Sequence, residues 1–371
     1  MRVGDATAGY HPSTIVGAVA DGSHAQFPGE YVGHRTVVIG GGSFGTAIAN
    51  ILADNGHHTR LFLRDAGAVA EIRETGINSR YLPGFKLNPA LEPTADFAGS
   101  IRDSTLVFMA VPSRAFRDVL RDMKPHLRAD AVLVSCTKGI WPEGFLLMSQ
   151  LMQQETGSQR IGVLSGPNLA KEIAARMLTG SVVASPHADV RESVQQALSC
   201  AYFRVYANQD MFGVELAGAL KNIYAITTGM ADAIGMGQNT KAMLITRSLA
   251  EMSRFAEHMG CNPLTFLGLA GVGDLVVTCS SPLSRNYQVG FRIGQGMSAE
   301  EAAKSIGQTA EGVNTLKLVK HKADELGVYM PQVTGLYDVL FAGQPLPGII
   351  KRLMSGDQNS DFEFTSQHLV P

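Results

Sequence analysis

Lys221 is the residue whose type and surroundings point most directly to chemistry. It lies within Met211–Gly229, a stretch that is otherwise almost wholly apolar or small. A helix with apolar residues around its whole circumference is a buried helix. An ammonium is costly to take out of water, and burial draws a lysine pKa down toward neutrality, where the group can move a proton. Far upstream, Gly40-Gly41-Gly42-Ser43-Phe44-Gly45 fits the spacing Gly-x-Gly-x-x-Gly. In that pattern Gly40 makes a tight turn, Gly42 lets backbone approach a pyrophosphate, and Gly45 lets helix pack on strand. The helix that follows aims its first amides at phosphate oxygens. Together the two features point to a nucleotide-dependent enzyme with a lysine acid/base. Either feature alone has a plainer reading: a lysine that snorkels its head to water, or an ordinary glycine turn.

Both features need elements to position them. Val37–Ile39 reads as a short strand and Thr46–Asn55 as a helix stopped by Gly56. Further strands are expected at Thr59–Leu63, Ser104–Val111, Ala131–Cys136 and Ile161–Ser165, with helices at Ala66–Thr75 and Ser113–Met123. Strands alternating with helices predict a parallel sheet covered on both faces. Thr179–Ala184 and Tyr202–Tyr206 could extend it at one edge. After about Asn208 helical periodicity takes over, at Met211–Gly229, Lys241–Met259, Pro263–Leu269, Ser298–Ile306, Gly312–Leu326 and Val333–Phe341. The fold class is therefore α/β: a Rossmann-like doubly wound sheet domain over 35–208, then a mostly helical C-terminal domain over 209–355. Residues 1–34 read as a loosely ordered extension outside the fold, and 356–371 as a polar tail.

The strand–glycine loop–helix context makes a dinucleotide site the expected use of Gly40–Gly45. A carboxylate about 20 residues on, at the tip of the second strand, grips the ribose of NAD. Here the tip reads Leu63-Arg64-Asp65. Arg64 can meet a 2′-phosphate, which favours NADP; Asp65 keeps NAD open. Asp274, on a glycine-flanked turn, is the expected partner of the Lys221 ammonium. Asp274 and Thr278 share one side if their segment is helical. Glu215 and Lys221 face different ways on a helix, so Glu215 is not expected to reach that ammonium. Arg285 offers a planar fork for a phosphate, with Ser284 and Asn286 beside it and Lys138 as a second positive charge. The alternative for Ser284-Arg285-Asn286 is a helix start with an exposed arginine. His57 and His58, in the turn before the second strand, read as exposed. Trp141 reads as a packing residue.

Composition narrows the classes. The chain has 371 residues, 45% of them hydrophobic and 17% charged, with a net charge of −2. No nucleic-acid footprint is expected from that charge. Four scattered cysteines without a Cys-x-x-Cys pair read as reduced core thiols, with neither a disulfide framework nor a metal site. Apolar runs are too short for a membrane span, and a cytoplasmic location is the default expectation.

Several motifs in one order carry a closer likeness. They are the glycine loop, Ala110-Val-Pro-Ser113, Thr137-Lys-Gly139, Leu164-Ser-Gly-Pro-Asn-Leu-Ala-Lys-Glu172, Gly213-Val-Glu-Leu-Ala-Gly-Ala-Leu-Lys-Asn222, Ile245–Met252, Gly268–Cys279, Ser284-Arg-Asn286 and Glu311-Gly312. From about Arg35 to about Ser355 the chain resembles NAD(P)-dependent glycerol-3-phosphate dehydrogenases of the bacterial cytosolic type. The resemblance implies reversible reduction of dihydroxyacetone phosphate to sn-glycerol 3-phosphate with NADP or NAD, feeding glycerophospholipid synthesis, in a homodimer. It implies Lys221 as the catalytic lysine, with Asp274 and Lys138 beside it. Gly40, Gly42, Ser43, Phe44, Gly45, Arg64, Lys138, Ala170, Arg285 and Glu311 match cofactor contacts. Lys138, Gly166, Asn168, Lys221, Asn222, Asp274, Thr278, Ser284, Arg285 and Asn286 match substrate contacts. The family usually carries Trp or Tyr at the Phe44 position and Thr at the Asn168 position. Two other readings are compatible with the sequence: a related β-hydroxyacid or ketopantoate-type dehydrogenase, and a non-catalytic nucleotide-binding redox sensor.

Overall fold

The computed structural model describes residues 33–306 and 311–355. Most of the expected N-terminal extension, the polar tail and Thr309-Ala310 lie outside the described residues. Ten strands occur among the described residues: β1 Arg35–Ile39, β2 His58–Phe62, β3 Glu92–Thr94, β4 Leu106–Met109, β5 Val132–Ser135, β6 Ile140–Trp141, β7 Leu146–Leu147, β8 Ile161–Ser165, β9 Thr179–Ala184 and β10 Phe203–Asn208. Eight of them form one sheet in the order β10-β9-β8-β5-β4-β1-β2-β3. From β3 to β8 every pairing is parallel. β9 runs antiparallel to β8, and β10 parallel to β9. The strand order reverses between β2 and β4, on either side of β1, so the crevice outside the carboxyl end of β1 is the topological switch point where such sheets bind ligands.

Alternation along β1 shows how the sheet is covered. Val37 and Ile39 pack to one face, with Val107, Met109, Leu133, Phe116 and Leu151. Val38 packs to the other, with Leu61, Phe108, Val134, Ile48 and Leu52. The expected helices Ala66–Thr75 and Ser113–Met123 form over those residues. The first helix begins at Ser43, three residues before the expected start, because the glycine loop itself turns into it. Edge strand β3 and the β6–β7 hairpin were not expected; two- and three-residue strands leave too short a pattern to read.

Beyond Asn208 the described chain is helical. Its centre is helix Met211–Ala233, in which every residue from Gly213 to Ile226 is buried. Asp210 caps its start, its side chain accepting from the Gly213 amide at 2.8 Å. Helices Gln238–His258, Asp274–Ser280, Arg285–Gly294, Glu311–Leu326 and Pro331–Phe341 surround it. Helix Arg285–Gly294 comes closest. A Cβ on Gly290 would stand 2.0 Å from the Ile226 carbonyl oxygen, and one on Gly229 would stand 2.1 Å from that of Tyr287. Glycine on both helices is thus what lets the two backbones touch.

Two smaller expectations need correction. His57 is buried: its Nδ1 accepts from the His34 amide at 3.1 Å. Burial, with His34 beside it, lowers the imidazole pKa to about 4. His34 accordingly packs on the sheet domain and is no part of a loose extension; its ring lies 5.5 Å from that of His57. His58 is exposed as read.

Gly290→Ala forces a methyl group into backbone that cannot retreat. It is expected to cost about 1–3 kcal/mol of stability, measured by urea unfolding; an unchanged midpoint would contradict the close helix contact.

Candidate active site

Three segments distant in sequence bring their charges together. Lys221 stands on the central buried helix, only 6% exposed. Its Nζ donates to Asp274 Oδ1 and, at 2.6 Å, to Thr278 Oγ1. Asp274 opens helix Asp274–Ser280, so Asp274 and Thr278 are one turn apart on one side, as the spacing predicted. A single wide turn, Leu269–Gly273, delivers Asp274 to that position. The second oxygen of the same carboxylate accepts from Lys138 Nζ at 2.5 Å. Lys138 comes from the sheet domain, in the turn after β5. Its Nζ also donates to the Gly166 carbonyl at 3.1 Å. Thr137 fixes that turn, donating its hydroxyl to the Val111 carbonyl at 2.7 Å. One buried carboxylate therefore holds two ammoniums, one from each half of the chain.

The electrostatics follow from that arrangement. Burial is the largest influence on Lys221 and pushes its pKa down; Asp274 opposes this, and the neighbouring Lys138 adds to the fall, leaving it at about 7. Glu215 turns away, its carboxylate bonded to Ser149 at the start of helix Met148–Thr156. Close approach of the lysine helix depends on Gly218, where a Cβ would stand 2.7 Å from Ser165 Oγ and 3.7 Å from the Lys138 stem.

A second group of residues joins the lysine helix to the proposed anion site. Asn286 Oδ1 accepts from the Gly312 amide at 3.1 Å. A Cβ on Gly312 would stand 2.6 Å from the Asn222 carbonyl. Glu311 accepts from the Ser113 amide at 3.2 Å, so it spans the two halves. Burial raises the Glu311 pKa, and the charges of Arg285 and Lys138 partly offset it. Ser284, Arg285 and Asn286 begin a helix with Arg285 exposed, the plainer of the two sequence readings. The Ser284 hydroxyl caps that helix at the Tyr287 amide, 3.3 Å away. The structure thus places Arg285 near Glu311, on which Lys138 also acts.

The nucleotide loop has the shape that its glycines imply. Gly40 adopts φ +115° with a would-be Cβ 2.5 Å from the Ala110 carbonyl oxygen. A Cβ on Gly45 would stand 2.1 Å from the Gly40 carbonyl oxygen. At Gly42 it would meet nothing within 4 Å, and Gly42 is the cap of a helix that no side chain caps. Open space at an uncapped helix start suits a pyrophosphate, so the residues fit a dinucleotide. Ser43 donates to the Tyr81 carbonyl at 2.7 Å, and Phe44 packs half-buried against the sheet core. Ala170 opens helix Ala170–Ala174 on the same core. At the tip of β2, Asp65 Oδ1 accepts from the Gly67 amide at 2.8 Å and caps the next helix. Arg64 beside it is exposed. Asn168 donates to Ser181 Oγ at 3.1 Å, while its buried Oδ1 finds no partner among the described residues. Asn78 gave no signal in sequence, yet its amide donates to the Gly41 carbonyl and to Thr46 Oγ1, both at 2.9 Å, and so braces the loop. Among the described residues no three His, Cys, Asp or Glu side chains group to hold a metal ion. No helix of those residues is long and apolar enough to cross a membrane.

Comparison with known proteins agrees along the chain. Residues 35–191 match the family described as NAD-dependent glycerol-3-phosphate dehydrogenase N-terminus, and residues 210–351 the corresponding C-terminus. A glycerol-3-phosphate dehydrogenase [NAD(P)+] of Teredinibacter turnerae is 56% identical over 329 residues, 89% of this chain and 97% of the relative. The crystal structure of glycerol-3-phosphate dehydrogenase from Coxiella burnetii superposes with a TM-score of 0.83 at 36% identity, covering 87% of this chain and 99% of that one. A ketopantoate reductase from Ralstonia eutropha is similar in fold, with a TM-score of 0.54 at 16% identity over 86% of this chain and 99% of that one.

Asp274→Asn removes the charge that holds Lys221 up. The Lys221 titration, followed by the NMR shift of its labelled side chain, is expected to move further below about 7; a rise would contradict the assigned balance of burial and pairing.

Proposed function

This chain belongs to the NAD(P)-dependent glycerol-3-phosphate dehydrogenase family, and from that premise we propose that its buried lysine–aspartate–lysine cluster carries the reaction. The protein is an NAD(P)-dependent oxidoreductase that interconverts glycerol 3-phosphate and dihydroxyacetone phosphate. The carrying observation is the single Asp274 carboxylate held between Lys221 and Lys138.

When bound at Gly40–Gly45, the nicotinamide cofactor supplies or takes up the hydride. The chain's own residues do the rest. Lys221 Nζ, fixed by Asp274 and Thr278, donates a hydrogen bond to the substrate oxygen as negative charge develops there, and passes it a proton. In the reverse direction the neutral amine accepts that proton. A pKa near 7 keeps both forms available at neutral pH. Asp274 holds the ammonium in one orientation and lines the substrate side. Lys138 adds positive charge from the sheet side and touches substrate and cofactor. Gly166, Asn168, Asn222 and Thr278 line the substrate side. Ser284, Arg285 and Asn286 hold the phosphate, with the Arg285 guanidinium as its main counter-charge. Glu311, Ser43, Phe44 and Ala170 contact the cofactor. On this reading 35–208 is the nucleotide domain and 209–355 the substrate domain. NADP is preferred, because Asp65 is engaged as a helix cap and Arg64 is left to meet a 2′-phosphate. We read the protein further as a cytoplasmic homodimer that makes sn-glycerol 3-phosphate for glycerophospholipids. The resemblance supports these last points.

Lys221→Ala is expected to lower kcat for dihydroxyacetone phosphate reduction by about 10²–10⁴-fold, with the circular dichroism spectrum of the folded protein retained; wild-type turnover would remove Lys221 from the mechanism. The pH profile of the native enzyme gives a second check. Reduction needs the ammonium, so its kcat falls as pH rises through about 7, while kcat for oxidation rises over the same range. Arg64→Ala is expected to raise KM for NADPH roughly tenfold, the lower range for a charge-assisted contact, with little effect on NADH. Equal effects on both would refute the NADP preference.

A further inference from the structure

Glu215 is a buried carboxylate that the reaction does not use. It sits on the lysine helix six positions before Lys221 and is 2% exposed. Its oxygens accept from the Ser149 amide at 3.0 and 3.2 Å and from the Ser149 hydroxyl at 2.5 Å. The Met148 amide contributes as well. Met148 and Ser149 begin helix Met148–Thr156, which packs on the sheet. Free amides at a helix start favour a negative partner, and here that partner comes from the other half of the chain. Burial raises the Glu215 pKa to about 7, with the Ser149 bonds opposing the rise.

The segment just before Ser149 is bound to the same place by a different force. Lys138 and Gly139 lead directly into the β6–β7 hairpin. Ile140 and Leu147 from that hairpin lie in the core built around the lysine helix. Phe145, at its turn, meets the ring of Phe255 edge-on with centroids 6.0 Å apart. Phe145 holds φ +53°, a region unfavourable for a side chain of this size. The surrounding packing therefore fixes the hairpin against its local preference. Lys138 enters this hairpin and Ser149 leaves it, so Ile140 near its entry, Phe145 at its turn and the Glu215 carboxylate at Ser149 tie one short piece of chain to the helical half.

We infer that Glu215 is a positioning residue: by fixing the helix of Lys221 against the Lys138–Ser149 segment, it sets the two ammoniums at the separation one Asp274 carboxylate can bridge. The inference rests on the reading of that cluster as catalytic. A displacement of about 1 Å in such a cluster is enough to cost most of the rate.

The test measures dihydroxyacetone phosphate reduction by the full chain, with rates normalised to the folded fraction. Glu215→Ala is expected to lower kcat roughly tenfold while KM for the nicotinamide cofactor stays within about twofold. Glu215→Gln, whose amide oxygen still accepts from the Ser149 amide, is expected to recover most of the loss. In a Lys138→Met background, Glu215→Ala should cost little more, because the ammonium it positions is already gone. Wild-type kcat in Glu215→Ala, or losses from Glu215→Ala and Lys138→Met that multiply in full, would overturn the positioning role. Should Glu215→Ala fail to fold, Ser149→Ala removes one bond of the clasp and is read by the same kcat and double-variant criteria. Lys221→Ala run alongside separates the two questions. Full activity there overturns the catalytic reading itself, whereas loss in Lys221→Ala with none in Glu215→Ala overturns only the positioning role.

Discussion

One carboxylate between two lysines is the constraint on which the rest of this structure turns. Asp274 accepts from Lys221 on one oxygen and from Lys138 on the other, and it is 1% exposed. In water such pairs are worth little, because exposed charges are screened and their side chains must be ordered. Inside the protein, removing the carboxylate would leave two ammoniums facing each other without compensation, which is strongly unfavourable. The chain therefore has to present three segments at one point: the middle of the longest buried helix, the start of a short helix after a wide turn, and the turn after a central strand.

The surrounding architecture supplies that meeting by two means. Packing without side chains brings helices close: Gly218 admits Ser165 and the Lys138 stem, Gly229 and Gly290 admit each other's helices, and Gly312 admits the Asn222 carbonyl. Polar contacts then cross between the halves. Glu215 holds Ser149 and Glu311 holds the Ser113 amide. Both are carboxylates raised in pKa by burial, so the same desolvation that brings Lys221 near neutrality also acts on the groups that tie the two halves together. An arrangement of this kind is sensitive to small shifts, because every member is held by a partner from a different element.

Much of the architecture was legible in the chain. The continuous apolar run Val37–Ile39, the strand run Ile161–Ser165 and the helical runs at Ala66–Thr75 and Ser113–Met123 lie where the pattern placed them. They are apolar or strongly patterned enough, beside the glycine loop and in the strand–helix alternation, for burial to dominate local preference. Edge strand β3 and the β6–β7 hairpin were missed, and helix Arg285–Gly294 was offered only as an alternative start at Ser284. The first two are too short to carry a period, and helix Arg285–Gly294 carries two glycines, which are poor helix formers but are required at this crossing. His57 was misread because a polar residue after a glycine looks exposed; only the packing of His34 and the sheet around it shows otherwise.

For the site, the sequence by itself determined the chemistry available: a lysine in a stretch otherwise almost wholly apolar or small, a glycine loop after a strand, and Asp274 one helical turn from Thr278. Those follow from residue types and from spacing within one element, which are local properties. The tertiary structure decided everything that depends on distance between elements. It gave Asp274 a second cation in Lys138, braced the glycine loop with Asn78, and turned Glu215 into a link between the halves. The physical reason is that a charge's role is set by what burial leaves beside it, and those neighbours lie tens to more than a hundred residues away along the chain.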